Sequence, residues 1–388
     1  MKEGENVKKD LLSFCERKGF DIYKSFSVVS QEDDLLFVNA SITPFKDLFL
    51  KEEYVEKNIA LIQKCIRMGG RAYSLKEINE SNYCNTFFEM LGLIFFNSNY
   101  YEVMAILFEL LEYMKIDKDR FYFAIPFDNF LFEKVLLENR IKIDRIFKID
   151  GNNIFWTKWR FGKESLVGEG ITLIYSRDSK EMVNSAEQLL YQEDIFIPLL
   201  NVIDINAREE NGIVKKIRNQ GFEIAMGIER LLAIKQECNH YEIDLIRDQF
   251  KCVENFFEKG YDQFSQVDLK VITDHLRTIG VLITEKVIPY KNKQGYVLRK
   301  MIRTVMEIVF IKSGKIDIND LLINFYKIDY QDEEIDNIIE IIHEEKMVFR
   351  NNIEKFVKRF SSIKMSEKQI RETYGISSNL LKKIREMQ

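Results

Sequence analysis

The chain holds few of the residues that staple, kink or ligate. It has four prolines and three histidines in 388 residues. With so few φ-locked positions, Pro-shaped loops are excluded as a major feature, and no Pro/Gly/Ser-rich linker, repeat or low-complexity tract is present. The cysteines, Cys15, Cys65, Cys84, Cys238 and Cys252, are odd in number and never at CxxC spacing. They read as isolated reduced thiols. With only His240, His275 and His343 beside them, no cluster of Cys and His of the kind structural zinc needs is present in the sequence, so a zinc site is not expected. No apolar run reaches the roughly 18 residues of a membrane span. The opening Met1-Lys2-Glu3-Gly4-Glu5-Asn6 lacks the apolar core of a signal peptide, and a cytoplasmic protein is expected. Net charge is −5, which argues against blanket electrostatic binding of nucleic acid but leaves room for a local basic face.

What is present is a core. Hydrophobic residues make up 46% of the chain, charged residues 31%, and thirty are phenylalanine. That suits two or three packed domains. Apolar spacing predicts an amphipathic helix over 5–18 and a buried strand at 34–38. It also predicts two strands at 59–67 and 85–95 joined by a polar loop, a helix at 99–115, and strands at 121–125, 171–175 and 195–205. Residues 222–227 read as a strand running into a helix at 228–236, and nearly everything after 242 reads as helix. The expected fold class is α+β over 1–245, followed by an all-α domain over 246–388.

Four stretches carry chemistry. The first, Gln63-Lys64-Cys65-Ile66-Arg67-Met68-Gly69-Gly70, ends an apolar strand on an arginine before two glycines. Those glycines permit a tight turn or a close approach of backbone to phosphate; a solvated turn is the other reading of an Arg before Gly-Gly. The second is Thr86-Phe87-Phe88-Glu89-Met90-Leu91-Gly92. The third, Glu223-Ile224-Ala225-Met226-Gly227-Ile228-Glu229-Arg230, is a strand, a small-residue turn and a helix bearing an arginine. The fourth joins Val271-Ile272-Thr273-Asp274-His275-Leu276-Arg277 to Gly295-Tyr296-Val297-Leu298-Arg299-Lys300-Met301-Ile302-Arg303. Around it, residues 285–315 hold eight Lys or Arg against Glu285 and Glu307. That is either a phosphate-binding face or a solvated helix face.

In order and spacing, these stretches resemble motif 2, motif 3 and the helical domain of the class II aminoacyl-tRNA synthetases of the alanyl type. Leu36-Phe37-Val38-Asn39-Ala40 and residues 371–384 extend the resemblance over nearly the whole chain. It implies an antiparallel class II sheet core with an all-α domain behind it, ATP and Mg²⁺ as cofactors, and an amino acid or related carboxylate as substrate. A tRNA acceptor stem is the implied partner, with no membrane; the oligomeric state stays open. Arg67 takes the α-phosphate position, Phe88 stacks on adenine with Glu89 and Met90 beside it, and Gly227 and Arg230 take the motif 3 positions. Trp156 and Val202 line the amino-acid pocket. Glu223 stands where the family has the aspartate that receives the amino group, Ala225 follows in place of a glycine, and Leu200 aligns with a pocket asparagine. In the helical domain Lys291 aligns with an acceptor-reading asparagine, Asn292 is its neighbouring substitute, and Lys293, Arg299, Lys300 and Arg303 form the phosphate-facing set.

The departures gather on the amino-acid side. The family's Asp-Thr-Gly-Pro-Cys-Gly-Pro-Cys loop is replaced by Arg160-Phe161-Gly162-Lys163-Glu164-Ser165-Leu166, and its motif 2 loop by Ala72-Tyr73-Ser74-Leu75-Lys76. Glutamate at 223 moves a carboxylate out by one methylene, a change worth about 1–3 kcal/mol to a small pocket. The chain stops where the family's editing domain would begin. The function expected is ATP-dependent formation of an aminoacyl-adenylate, with transfer to tRNA or another acceptor. Two alternatives are an inactive paralogue that binds tRNA or a partner as a regulator, and a biosynthetic ligase with a non-tRNA acceptor.

Overall fold

The structure, a computed structural model, describes residues 2–32, 35–68, 83–150, 155–162, 165–178, 183–258, 264–359 and 365–386. Contacts divide it into two units, Met1–Ile246 and Arg247–Gln388.

The first unit is built on one sheet. Helix α1 (Glu3–Arg17) buries Val7, Leu11, Phe14 and Cys15 on one stripe. Acidic residues in its first turn and Arg17 in its last suit the helix dipole. Then come β1 (Asp21–Tyr23), α2 (Lys46–Leu50), β2 (Ile59–Ile66), β3 (Phe87–Phe96), α3 (Tyr100–Tyr113), β4 (Phe121–Pro126), α4 (Phe130–Glu138), β5 (Ile146–Ile149), β6 (Trp159–Phe161), β7 (Ser165–Ser176), α5 (Ala186–Tyr191), β8 (Phe196–Glu210), β9 (Ile213–Gly227) and α6 (Ile228–Lys235). Spatial order is β1-β2-β3-β9-β8-β7-β4-β5, with β6 on β7. Neighbours from β2 through to β4 are antiparallel. Among the described residues, only the outer pairs, β1 with β2 and β4 with β5, are parallel. The expected α+β core with an antiparallel centre is therefore present.

The two apolar runs either side of the polar stretch form a ladder, with Ile59 opposite Ile94 and Cys65 opposite Phe88. Helix α3 starts at a reciprocal cap: Asn99 accepts from the Tyr101 and Glu102 amides, and Glu102 accepts from the Asn99 amide. One expectation is corrected. Residues 35–38 form no strand; Phe37 makes a single bridge to Val29, and residue 34 lies outside the described residues. The Val38 carbonyl accepts from the Ile66 amide at 2.9 Å, so this segment leaves the end of β2 and crosses the sheet face instead of joining the ladder.

The second unit comprises α7 (Arg247–Glu258), α8 (Gln266–Thr284), α9 (Lys293–Ser313), α10 (Asn319–Tyr326), α11 (Asp332–Arg359), α12 (Glu367–Tyr374) and α13 (Ser378–Glu386). Helix α8 runs through its middle, buried from Val271 to Ile283, and carries a buried Asp274–His275 contact at 3.1 Å. Among the described residues, no helix is long and apolar enough to cross a membrane.

Candidate active site on the sheet face

Strand alternation decides which residues share a face. Phe88, Met90, Gly92 and Ile94 of β3 pair with Cys65, Gln63, Leu61 and Ile59 of β2. On the other side Met90 pairs with Gly227, Gly92 with Ala225, and Ile94 with Glu223. Arg67, two residues past Cys65, continues the same face. Glu223 and Ala225 oppose Ile203 and Asn201 of β8, which in turn oppose Gly170 and Thr172 of β7. One surface thus brings together Arg67, Phe88, Met90, Glu223, Ala225, Gly227, Asn201 and Thr172.

The segment 38–42 lies across that surface and ties its two charged ends together. Arg67 Nε donates to the Asn39 carbonyl at 2.7 Å. The Ser41 amide reaches Met90 Sδ at 3.4 Å, and Ser41 Oγ donates to Glu223 Oε1 at 2.7 Å. Gly92 makes this crossing possible, because a Cβ there would lie 2.3 Å from Ser41 Cβ. The guanidinium of Arg67 sits 5.0 Å from the Phe88 ring centre and 6.0 Å from that of Trp156, a cation between two aromatic walls.

Trp156 adopts a left-handed backbone, φ 59°, a conformation that costs a non-glycine residue about 1–3 kcal/mol and persists only where its surroundings hold it. What holds it is visible. Thr172 Oγ1 lies 2.7 Å from the Phe155 carbonyl and 2.8 Å from Asn201 Oδ1, and the Trp156 carbonyl passes over Gly170, where a Cβ would come within 2.9 Å of it. Arg230, on the first turn of α6, donates to the Pro198 carbonyl at 2.7 Å.

Glu223 is 2% exposed. Burial pushes its carboxyl up from 4.5 to about 6, opposed by the Ser41 hydroxyl, the Ile42 amide and the charge of Arg67. Cys65, buried on the same face, has its thiol pushed well up by desolvation, which makes it an inert core group.

Several sequence expectations change. Leu200 and Val202 pair with Met226 and Ile224 and point to the opposite face, fully buried; Asn201 and Ile203 hold the site-facing places one residue along. Glu89 also alternates away from Phe88, and its carboxylate binds Lys8 of α1 at 2.8 Å while its amide donates to Glu229. Met90 lies buried beneath Ser41 rather than open to a base. Gly69, Gly70 and the loop 72–76 lie outside the described residues. Ser41 and Thr172 had no motif to announce them; Gly92 closed the second stretch without a role of its own, and Asn201 had a signal only as the polar residue beside Leu200.

In the second unit, Lys291, Asn292, Lys293 and Lys300 are exposed at the start of α9. Lys291 lies 6.0 Å from the Tyr290 ring and Arg299 5.9 Å from the Tyr296 ring. Arg303 does not join them. It binds Glu345 of α11 at 2.5 Å, with side chains only 16% and 8% exposed, and covers the Phe349 ring, so it is a packing cation of the helical unit. Among the described residues, no group of three or more His, Cys, Asp or Glu could hold a metal ion.

Comparison with known proteins bears on this face. A family model described as tRNA synthetases class II (A) matches residues 6–387. The alanine–tRNA ligase of Buchnera aphidicola subsp. Schizaphis graminum is 29% identical over 96% of this chain and 42% of its own length. That of Chlorobium phaeobacteroides is 31% identical over 77% of this chain and 34% of its own. The chain therefore spans less than half the length of these relatives. Among solved structures, apo histidyl-tRNA synthetase of S. aureus is similar at 8% identity and a TM-score of 0.36, over 61% of this chain and 70% of that one.

Proposed function

The chain belongs to the class II (A) tRNA synthetases, and from that premise we propose that residues 1–246 activate an amino acid with ATP and that the helical unit presents a tRNA acceptor end. The observation that carries the reading is Arg67. Its guanidinium is held edge-on by the Asn39 carbonyl between the rings of Phe88 and Trp156, on the same face as Glu223.

Activation is attack of a carboxylate on the α-phosphate, with charge gathering on phosphate oxygens. Pre-placed cations lower that barrier most. Arg67 would hold the α-phosphate and the incoming carboxylate together, Phe88 would stack on adenine, and Arg230 would face the nucleotide from α6. Glu223 would receive the substrate ammonium, with Ala225, Trp156 and Asn201 around the side chain. Mg²⁺ would supply charge neutralisation of the phosphates. The residues fit an ion carried in by the nucleotide, since magnesium takes most of its ligands from phosphate and water and the described carboxylates form no cage of their own. Lys291, Lys293, Arg299 and Lys300 would track the RNA backbone. A tRNA substrate implies the cytoplasm.

Pyrophosphate exchange with the wild-type chain across the amino acids tests the activation step. Exchange with at least one of them is the expected result. Bound ATP with no exchange would leave the second reading, a tRNA-binding paralogue that does not activate. That reading draws on the protein partners that Glu223 and Arg230 already have.

A further inference from the structure

We infer that Ser41 is a positioning and specificity-determining residue, acting through Glu223 on the amino group of the substrate. The inference rests on the activation reading above and deepens it.

The geometry has three parts. Glu223 extends from β9 towards the segment that crosses the sheet, and its Oε1 accepts from Ser41 Oγ at 2.7 Å. The Ile42 amide also donates to the carboxylate. The additional methylene of a glutamate is thus taken up in reaching Ser41, not in extending into the space beside Ala225. Second, Ser41 has no freedom to turn away. It is fully buried, its amide is directed at Met90 Sδ, and its Cβ rests on the bare backbone of Gly92. Third, the segment that carries Ser41 also carries Asn39, whose carbonyl holds Arg67. Two residues of main chain therefore set the distance between the cation for the substrate carboxylate and the anion for its ammonium. An α-amino acid presents those two groups at a fixed short separation, so Ser41 selects for α-amino acids against substrates with the amino group further along the chain.

Among the described residues, Ser41 is the one side-chain hydrogen-bond donor to Glu223. Ile94 and Ile203 flank it on β3 and β8. Arg67 from the end of β2 supplies a favourable charge, and Cys65 of β2 is a titratable group that feels the charge of Glu223. Without the hydroxyl, burial faces less opposition and the carboxyl holds its proton to higher pH.

The test compares the wild-type chain with Ser41→Gly, which removes the hydroxyl without adding bulk. The infrared carbonyl band of a protonated buried carboxyl, assigned by its loss in Glu223→Gln, gives the Glu223 midpoint with or without catalysis. In Ser41→Gly that midpoint is expected to rise by about one pH unit, the scale of a hydrogen bond to a charged carboxylate. In pyrophosphate exchange, KM for the amino acid should rise about tenfold with its acid limb moved to higher pH, while KM for ATP stays as in wild type. A β-amino acid should lose ground less than its α-isomer. An unmoved infrared midpoint overturns the inference, as does an equal rise in both KM values, which would mean general loosening of the face. If the wild-type chain activates nothing, the activation reading falls by itself and the infrared midpoint alone decides whether Ser41 governs Glu223.

Discussion

Arg67 donates through Nε to the carbonyl oxygen of Asn39 at 2.7 Å, and this one bond turns an arginine at a strand end into a fixed part of the sheet face. A free arginine in that place would sample many rotamers. Tied at Nε and walled by Phe88 and Trp156, its guanidinium is held in one place on the sheet face.

That arrangement predicts a large loss on Arg67→Lys. Lysine keeps the charge but cannot bond Asn39 edge-on and still present a planar fork. Pyrophosphate exchange should fall about 10²- to 10³-fold, the usual worth of one pre-placed donor, with the thermal melting curve little changed. Full activity in the lysine variant would refute a phosphate-facing role.

Glu223 gives a stability signature. Its folded carboxyl titrates at about 6 against an ordinary 4.5, so between those values the folded chain binds more protons than the unfolded one. Stability should therefore fall as pH rises through that window, by about 2 kcal/mol, and level off above it. Urea midpoints of wild type and Glu223→Gln on either side of the window provide the check. The glutamine variant should lack this part of the slope, and identical slopes would contradict the burial argument.

Gly92→Ala places a methyl 2.3 Å from Ser41 Cβ and 2.5 Å from its Oγ. The crossing segment must lift, at a cost of about 1–3 kcal/mol for overpacking. Chemical denaturation should register that loss, and exchange activity should fall with it. A neutral substitution would show that Ser41 is not seated on Gly92.

The basic start of α9 and Arg303 should separate experimentally. Alanine at Lys291, Lys293 or Lys300 is expected to lower the salt dependence of tRNA binding by roughly one unit of slope each, with stability unchanged. Arg303→Ala strands the nearly buried Glu345 and should cost about 3 kcal/mol of stability instead. A filter-binding salt series run beside a denaturation curve distinguishes the two classes; an Arg303 variant that folds normally but loses the salt slope would reverse the assignment.

How much of this was legible beforehand varied with the physical signal. The β2–β3 ladder and the strand-to-helix run at 222–235 could be read because apolar runs are bounded by polar loops or by a small-residue turn. The face of β8 could not. The two polar residues of that strand, Asn201 and Asp204, fall on opposite faces among buried apolar neighbours, so period-two alternation vanishes from 199 to 205, and a shift of one residue moved the expected pocket from Asn201 and Ile203 to Leu200 and Val202. Residues 35–38 looked like a strand because β-branched and aromatic residues suit any half-buried extended backbone; nothing local says whether such a segment joins a sheet or lies over it. Arg303 reads as part of the phosphate-facing set because its partner Glu345 lies 42 positions away, on a different helix. Long-range polar partners of this kind, Ser41 with Glu223 among them, leave no trace in spacing.

The left-handed backbone at Trp156 bears on how that residue must be measured. Glycine would rest in such a conformation at no steric cost, so Trp156→Gly removes the indole and relaxes the main chain in one stroke. Two opposite effects would then be read as a single small number. Alanine keeps the conformational burden while losing the ring, and the difference between the two variants separates what the indole contributes from what its backbone withholds. A scan that used glycine alone would rank the wall beside Arg67 as dispensable.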